Sequence, residues 1–477
     1  MLGEAAGVLD QMSDQAKQPI KLEDALRMDH RQSVELHRRH LNPRLARMLG
    51  KIGADQRLVR ASGPYFWDSN GVRFLDFLSG FGAVGLGYNH PSVLRAMELV
   101  EKVPVLVPGL NHLEAALAHN LAMLAPAGLE RVYFANSGAE VVDASIKLAR
   151  AATGRKKLLA CTGAFHGRTL GALSLMDEKD FREPFEPLLP DVMHVKYGDL
   201  DAAERVLRGD DVAGFIVEPI QGEGGIRVPP PGYLPGIRDL CTLHGTLLIA
   251  DEVQTGLGRT GKVFEVNRYH VTPDILVVGK MLGGGVMPLS AVLTSDAVFQ
   301  AARGASRRSP FHSSTFGGNA WACAAGLASL EVLSAERLTE KAEESGAYLM
   351  CRLRELQTRH RMIADVRGHG LLIGVELAPA TEGFASAVTG GVLNRLSKKF
   401  ASGLVIKELY QRRHVMTAFT LNDPGVLRLE PALVVGRPEI DYMVESLDQT
   451  LASLRSFPRA VLRYARESKH HFASAGK

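Results

Sequence analysis

Three positions in the 477-residue chain set a chemically capable group at the end of an apolar run. Lys280 follows DILVVG, with Gly283, Gly284 and Gly285 close behind. A lysine at the tip of a buried strand is readily desolvated, which lowers its pKa and leaves a nucleophilic amine; the bland alternative is a first exposed loop residue. Asp251 follows TLLIA. A carboxylate there is costly to bury alone, so it needs a donor or cation, either in the chemistry or as a satisfied cap or structural ion pair. Ser137-Gly138-Ala139 ends RVYFAN and opens a helical stretch. Free N–H groups and the positive helix end suit a phosphate there, although ordinary helix starts look the same. Taken together, the three fit pyridoxal phosphate (PLP). That cofactor needs a Schiff-base lysine, an anion to keep its ring nitrogen protonated and a cradle for its phosphate.

Such groups must be carried by a sheet. Short runs rich in Val, Ile and Leu recur at 131–138, 157–167, 213–219, 246–253, 274–280 and 289–295, with helical segments between them. Runs that are apolar throughout imply a sheet buried on both faces, and alternation with helices implies largely parallel strands. One intervening segment sets Val142, Ile146 and Ala149 at i, i+4 and i+7, with Gly154 as a stop. Beyond about residue 340 a long charged helix, the strand-like 370–377 and 426–431 and a closing helix near 438–455 suggest an α+β texture. The expected division is a helical segment at 1–60, a large domain at 61–338, a smaller one at 339–460 and a tail at 461–477.

Composition excludes other classes. Hydrophobic residues make up 46 % and charged residues 23 %, as in folded globular chains, so neither a disordered nor a fibrous protein is indicated. The net charge of +4 is too small and dispersed for a nucleic-acid binder. No apolar run reaches the length of a bilayer span, and the acidic N-terminus is unlike a secretion signal. Four scattered cysteines suggest neither a disulfide framework nor a zinc site, and a cytoplasmic location is expected. His37 and His40 have helical spacing but no Cys or acidic partner, so no metal site is expected. Gly80–Gly85 and Gly256–Gly261 match G-x-G-x-x-G, but neither joins a strand to a helix start as a dinucleotide site requires.

NSGAE (136–140), AFHGRT (164–169), EPIQGEGG (218–225), DEVQTGLGRTG (251–261), GKMLGGG (279–285) and STFGGN (314–319) follow one another in this order. In this they resemble the class III PLP-dependent aminotransferases, and the likeness runs from about residue 60 to 455. Within the class the chain is most similar to the branch holding the putrescine, ornithine and acetylornithine enzymes, with EPIQGEGG, PPPGYL (229–234) and GGGVMPLSAV (283–292) leaning toward the putrescine type.

The resemblance implies PLP fold-type I: a large domain with a mainly parallel sheet between helices, plus a smaller α+β domain. It implies a homodimer with shared active sites. Lys280 would hold the cofactor and move the proton. Asp251 would partner the pyridine nitrogen, Val253 and Phe165 would flank the ring with His166 beside them, and Gln254 would bond the 3-hydroxyl. Ser137, Gly138 and Ala139 would hold the phosphate, and Thr315 would reach it from the other subunit. Glu218 and Arg428 would form a carboxylate switch. Phe81 stands where ornithine enzymes have a Tyr that binds the donor's carboxylate, while Arg168 keeps the other half of that site. The implied reaction moves a terminal amino group from an amine, diamine or ω-amino acid to a 2-oxo acid or aldehyde. Ornithine- or acetylornithine-type transfer, an aminomutase or decarboxylase on the same fold and, more distantly, an NAD-dependent oxidoreductase remain as rivals.

Overall fold

The computed structural model describes residues 19–107, 109–303, 312–378 and 392–454. Its strands in chain order begin with β1 (Leu58–Ser62), β2 (Tyr65–Asp68) and β3 (Arg73–Asp76). Seven follow: β4 (Arg131–Ala135), β5 (Lys157–Cys161), β6 (Val192–Val195), β7 (Val212–Val217), β8 (Leu247–Asp251), β9 (Ile275–Val278) and β10 (Ser290–Thr294). The last are β11 (Ile363–His369), β12 (Leu372–Leu377), β13 (Val415–Met416), β14 (Ala418–Phe419) and β15 (Val426–Leu429).

The middle seven form one sheet in the order β4-β10-β9-β8-β7-β5-β6. β6, β5, β7, β8 and β9 run parallel, whereas β10 is antiparallel to both β9 and β4. β7, β9 and β10 are buried along their whole length. Alternate residues feed cores on opposite faces: Phe215, Leu248 and Val278 pack on one side, Ile216, Ile249 and Val277 on the other. Period-two alternation with both faces covered explains why these runs are apolar at every position.

The helix Gly138–Thr153 buries Val142, Ile146 and Ala149 against this sheet and stops at Gly154, whose φ of 69° is the left-handed cap a Gly adopts freely. β11, β12, β15 and β14 make a second, antiparallel sheet in that order; the helix Leu338–Arg359 packs on β11 and β12, the helix Val392–Arg413 on β12 and β14, and the helix Arg437–Leu454 lies against both helices. β12 starts two residues later than the apolar run, because Gly370 (φ 53°) belongs to the β11–β12 turn. β1, β2, β3 and β13 form a third sheet, in which β13 pairs parallel to β3. The fold is therefore mixed α/β, with a mostly parallel central sheet and a smaller antiparallel one.

The chain divides into two units, residues 1–58 and 59–477. In the first, the helices Leu22–Arg27, His30–His40 and Pro43–Ile52 follow in series. Asp29 closes a capping box with Gln32, and Asn42 caps the third helix. His37 donates its ring N–H to the Ser33 carbonyl at 2.8 Å. The expected tail, 461–477, lies outside the described residues.

Candidate active site

In an open α/β sheet, ligands bind beyond the carboxyl ends of the strands. A cavity of about 440 Å³ lies there in the second unit. Asn136 to Ala139 line it after β4, Phe165 and His166 after β5, Glu218 after β7, Asp251, Val253, Gln254 and Thr255 from β8 onward and Lys280 after β9. β10 runs the other way, so its leading end, Pro288 and Leu289, closes the same wall. The structure thus brings together ten of the residues singled out from sequence: Ser137, Gly138, Ala139, Phe165, His166, Glu218, Asp251, Val253, Gln254 and Lys280.

Lys280 follows β9 in a left-handed conformation (φ 45°), which costs a non-Gly residue energy. Burial lowers the pKa of its amine from the ordinary value; Glu430 pulls it back up, Arg428 pushes it down, and Glu223 and Asp251 pull upward again. Asp251 Oδ2 accepts a 2.6 Å hydrogen bond from His166 Nδ1, and Oδ1 accepts from the Val253 N–H at 3.1 Å. Burial alone would lower the His166 pKa, but the hydrogen bond and charge of Asp251, with Glu218 beyond, hold it above the ordinary value. This doubly held carboxylate is preorganised at the cavity wall.

The helix Gly138–Thr153 points its N-terminus at the cavity. Ser137 and Glu140 form a capping box, and the Ser137 hydroxyl is committed to Glu140 at 2.9 Å. The first-turn N–H groups of Gly138 and Ala139 have no acceptor within the helix. Together with the dipole they make an anion cradle. Asn136 Nδ2 donates to Ser314 Oγ at 2.9 Å, and Ser290 Oγ donates to the Ser137 carbonyl at 2.9 Å, fixing the turn from two sides.

Four singled-out residues do not line the cavity. Thr315 is exposed on the surface of its own chain. Arg168 is exposed, with its guanidinium 4.5 Å from the Phe181 ring and 5.7 Å from that of Phe165. Phe81 is 48 % exposed. It sits in a run of four left-handed residues, Ser79, Gly80, Phe81 and Gly82, and its ring lies 5.4 Å from the Arg428 guanidinium. Arg428 itself is fully buried.

The expected pairing of Glu218 with Arg428 is corrected by the geometry. Arg428 Nη2 meets Glu223 Oε2 at 2.5 Å, and Nη1 lies 3.4 Å from Glu430 Oε2. Glu218 instead accepts the backbone N–H groups of Phe165 and Gly222, each at 2.9 Å. Burial pushes its pKa up to about 7, offset in part by the His166 charge. Both glutamates lie in EPIQGEGG, and it is the second that faces the arginine.

Sequence reasoning also missed Glu430, whose Oε2 accepts from Gln254 Nε2 at 3.1 Å. The available signal was strand periodicity, because residues 428 and 430 fall on one face. The second glycine motif, 256–261, is a joining loop. Its Arg259 is buried and donates to the carbonyls of Leu371 and Pro431.

The model of the family described as aminotransferase class-III matches residues 54–451. The chain belongs to that family, whose members are PLP-dependent. It is 41 % identical over 408 residues to a putrescine aminotransferase of Pectobacterium atrosepticum, covering 83 % of this chain and 82 % of the relative. The ornithine aminotransferase of Toxoplasma gondii ME49 superposes with a TM-score of 0.79 at 30 % identity, over 91 % of this chain and 97 % of that one. A thermostable (S)-enantioselective omega-transaminase of Thermomicrobium roseum does so with 0.76 at 31 %, over 84 % and 93 %. The cavity fits the cofactor. Its wall offers an amine, a hydrogen-bonded carboxylate and two uncommitted helix N–H groups, the donor set PLP requires.

Proposed function

We propose that this aminotransferase takes its amino group from amines and diamines that lack a carboxylate beside the reacting carbon, and delivers it to a 2-oxo acid or aldehyde. The observation that carries this reading is the surroundings of Phe81. Phe81 has no hydroxyl to complete a carboxylate site, and the nearby Arg428 is already engaged by Glu223 and Glu430. The 41 % identical putrescine aminotransferase supports it.

Bound PLP supplies an electron sink for the bonds broken at the amine carbon. Lys280 Nζ would anchor it and carry the proton to and from that carbon, a task suited to an amine whose pKa burial has lowered. Asp251 would hold the proton on the ring nitrogen, with its orientation set by His166 and the Val253 N–H. Val253 and Phe165 would flank the ring, and Gln254 would meet the 3-hydroxyl. Gly138 and Ala139 would hold the phosphate through their N–H groups, with Thr315 of a second copy completing the cradle in a homodimer. Glu223 would mask Arg428 while an amine is bound and release it for the carboxylate of an oxo acid. We place the protein in the cytoplasm; among the described residues no helix is long and apolar enough to cross a membrane.

An ornithine-type reading rests on Arg168, which could draw in a carboxylated donor from its exposed position. The kcat/KM ratio of putrescine over ornithine separates the two. The expected ratio is one or more in the wild type and falls in Phe81→Tyr, because a site that hydrogen-bonds a polar group discriminates more strongly than an apolar wall. A wild-type ratio well below one favours the ornithine reading.

A further inference from the structure

Glu430 is fully buried, yet among the described residues its Oε1 has no hydrogen-bond partner. That oxygen fills the space beside Gly82, where a Cβ would come within 2.3 Å of it; Gly82 (φ 85°) is required by both the turn and the carboxylate. Its other oxygen accepts from Gln254, a cavity-lining residue, and lies 3.4 Å from Arg428 Nη1. The backbone is pinned on both sides: Glu430 N–H donates to Phe77 O at 2.8 Å, and Ser79 Oγ donates to Glu430 O. Glu430 is therefore fully buried on a pinned backbone, whereas the Glu223 side chain retains 14 % exposure. Arg259, also buried, donates to the carbonyls of Leu371 and Pro431. Glu430 thus stands beside two buried guanidiniums, Arg428 at 3.4 Å and Arg259, which feels its charge, and it bonds the cavity-lining Gln254.

We propose that Glu430 is a specificity-determining residue: its buried carboxylate cancels guanidinium charge behind the donor pocket and so admits donors whose far end is an ammonium group. Without it the pocket floor carries surplus positive charge, which repels a diammonium donor and attracts a carboxylate. The inference rests on the amine-donor reading above and names the residue that would enforce it.

Cadaverine and 5-aminovalerate have nearly equal length and differ in the charge of the far end, so they isolate the effect. The wild-type holoenzyme should favour cadaverine in kcat/KM. Glu430→Gln should lower the cadaverine/5-aminovalerate ratio by about tenfold or more, while Glu430→Asp, which keeps the charge, should largely preserve it. A merely structural role would depress both donors alike. Calorimetry supplies a readout apart from turnover: glutarate should bind Glu430→Gln holoenzyme about tenfold more tightly than wild type. A folded Glu430→Gln with an unmoved ratio and unchanged glutarate affinity overturns the proposal. So does a wild type that prefers 5-aminovalerate, a result that needs no variant. If neither donor turns over, the amine-donor reading fails separately, and glutarate binding still decides the charge argument.

Discussion

At Lys280 two demands meet, a nucleophilic amine and a fixed place for it. The left-handed backbone at φ 45° aims the side chain, and burial lowers its proton affinity. If Lys280 is the anchoring amine, borohydride reduction of holoenzyme fixes the cofactor on the peptide that contains it. Lys280→Ala should still bind PLP through Asp251 and the helix N-terminus but lose turnover by several orders of magnitude, each 1.36 kcal/mol of barrier being about tenfold. Mass spectrometry of the reduced protein checks the assignment, and an adduct on another lysine refutes it. Asp251 and His166 illustrate a second residue-scale point. A carboxylate can stay buried at a strand tip only when paired, and the 2.6 Å bond to a buried imidazole provides the partner.

Elements decide which of these residues could be read from sequence. Lys280, Asp251 and Ser137 were legible because each follows an apolar run, and a parallel strand delivers its last residue to the ligand edge. The antiparallel sense of β10 was not legible, since burial on both faces gives the same apolar pattern in either direction. The partner of Arg428 was misread for a similar reason. Glu218 and Glu223 share one loop, and spacing alone does not say which turns back toward β15. Glu430 stayed hidden because its role depends on a bond to Gln254, 176 positions away in the chain.

The turn after β8 also stores a pH response. Glu252 is buried, accepts from Thr255 Oγ and the Val266 N–H, and has its pKa pushed up to about 7 by burial. The folded state therefore binds its proton more tightly than the unfolded state. The stabilisation is present at low pH and is lost as pH rises from the ordinary carboxylate range through about 7. Glu252→Gln should remove that loss, with a stability gain over wild type larger at pH 8 than at pH 5.5, by about 2 kcal/mol. Denaturant titration of both proteins at the two pH values tests this; an equal gain at both contradicts it.

For the whole molecule, the proposed homodimer has a physical motive. Leu110 is 100 % exposed, Phe316 52 % and Leu106 44 %. They lie on two segments tied together by Trp321 Nε1 to Val103 O, Ala320 N–H to Val105 O and Asn111 Nδ2 to Gly318 O. Large apolar side chains grouped at a surface mark an interaction site, and Thr315 stands beside them in the chain. Phe316→Asp combined with Leu110→Asp should shift the protein toward monomer in sedimentation and weaken PLP binding in step. A double variant that remains dimeric would place the interface elsewhere.

In the proposed reaction an amino group leaves a simple amine for the cofactor and then passes to an external acceptor. Holoenzyme mixed with putrescine and no acceptor should lose its visible absorbance within one turnover. Adding 2-oxoglutarate or pyruvate should restore it, with one equivalent of the amino acid formed per site. Absorbance that does not respond to putrescine, or steady product formation without any acceptor, would contradict amino transfer from a simple amine.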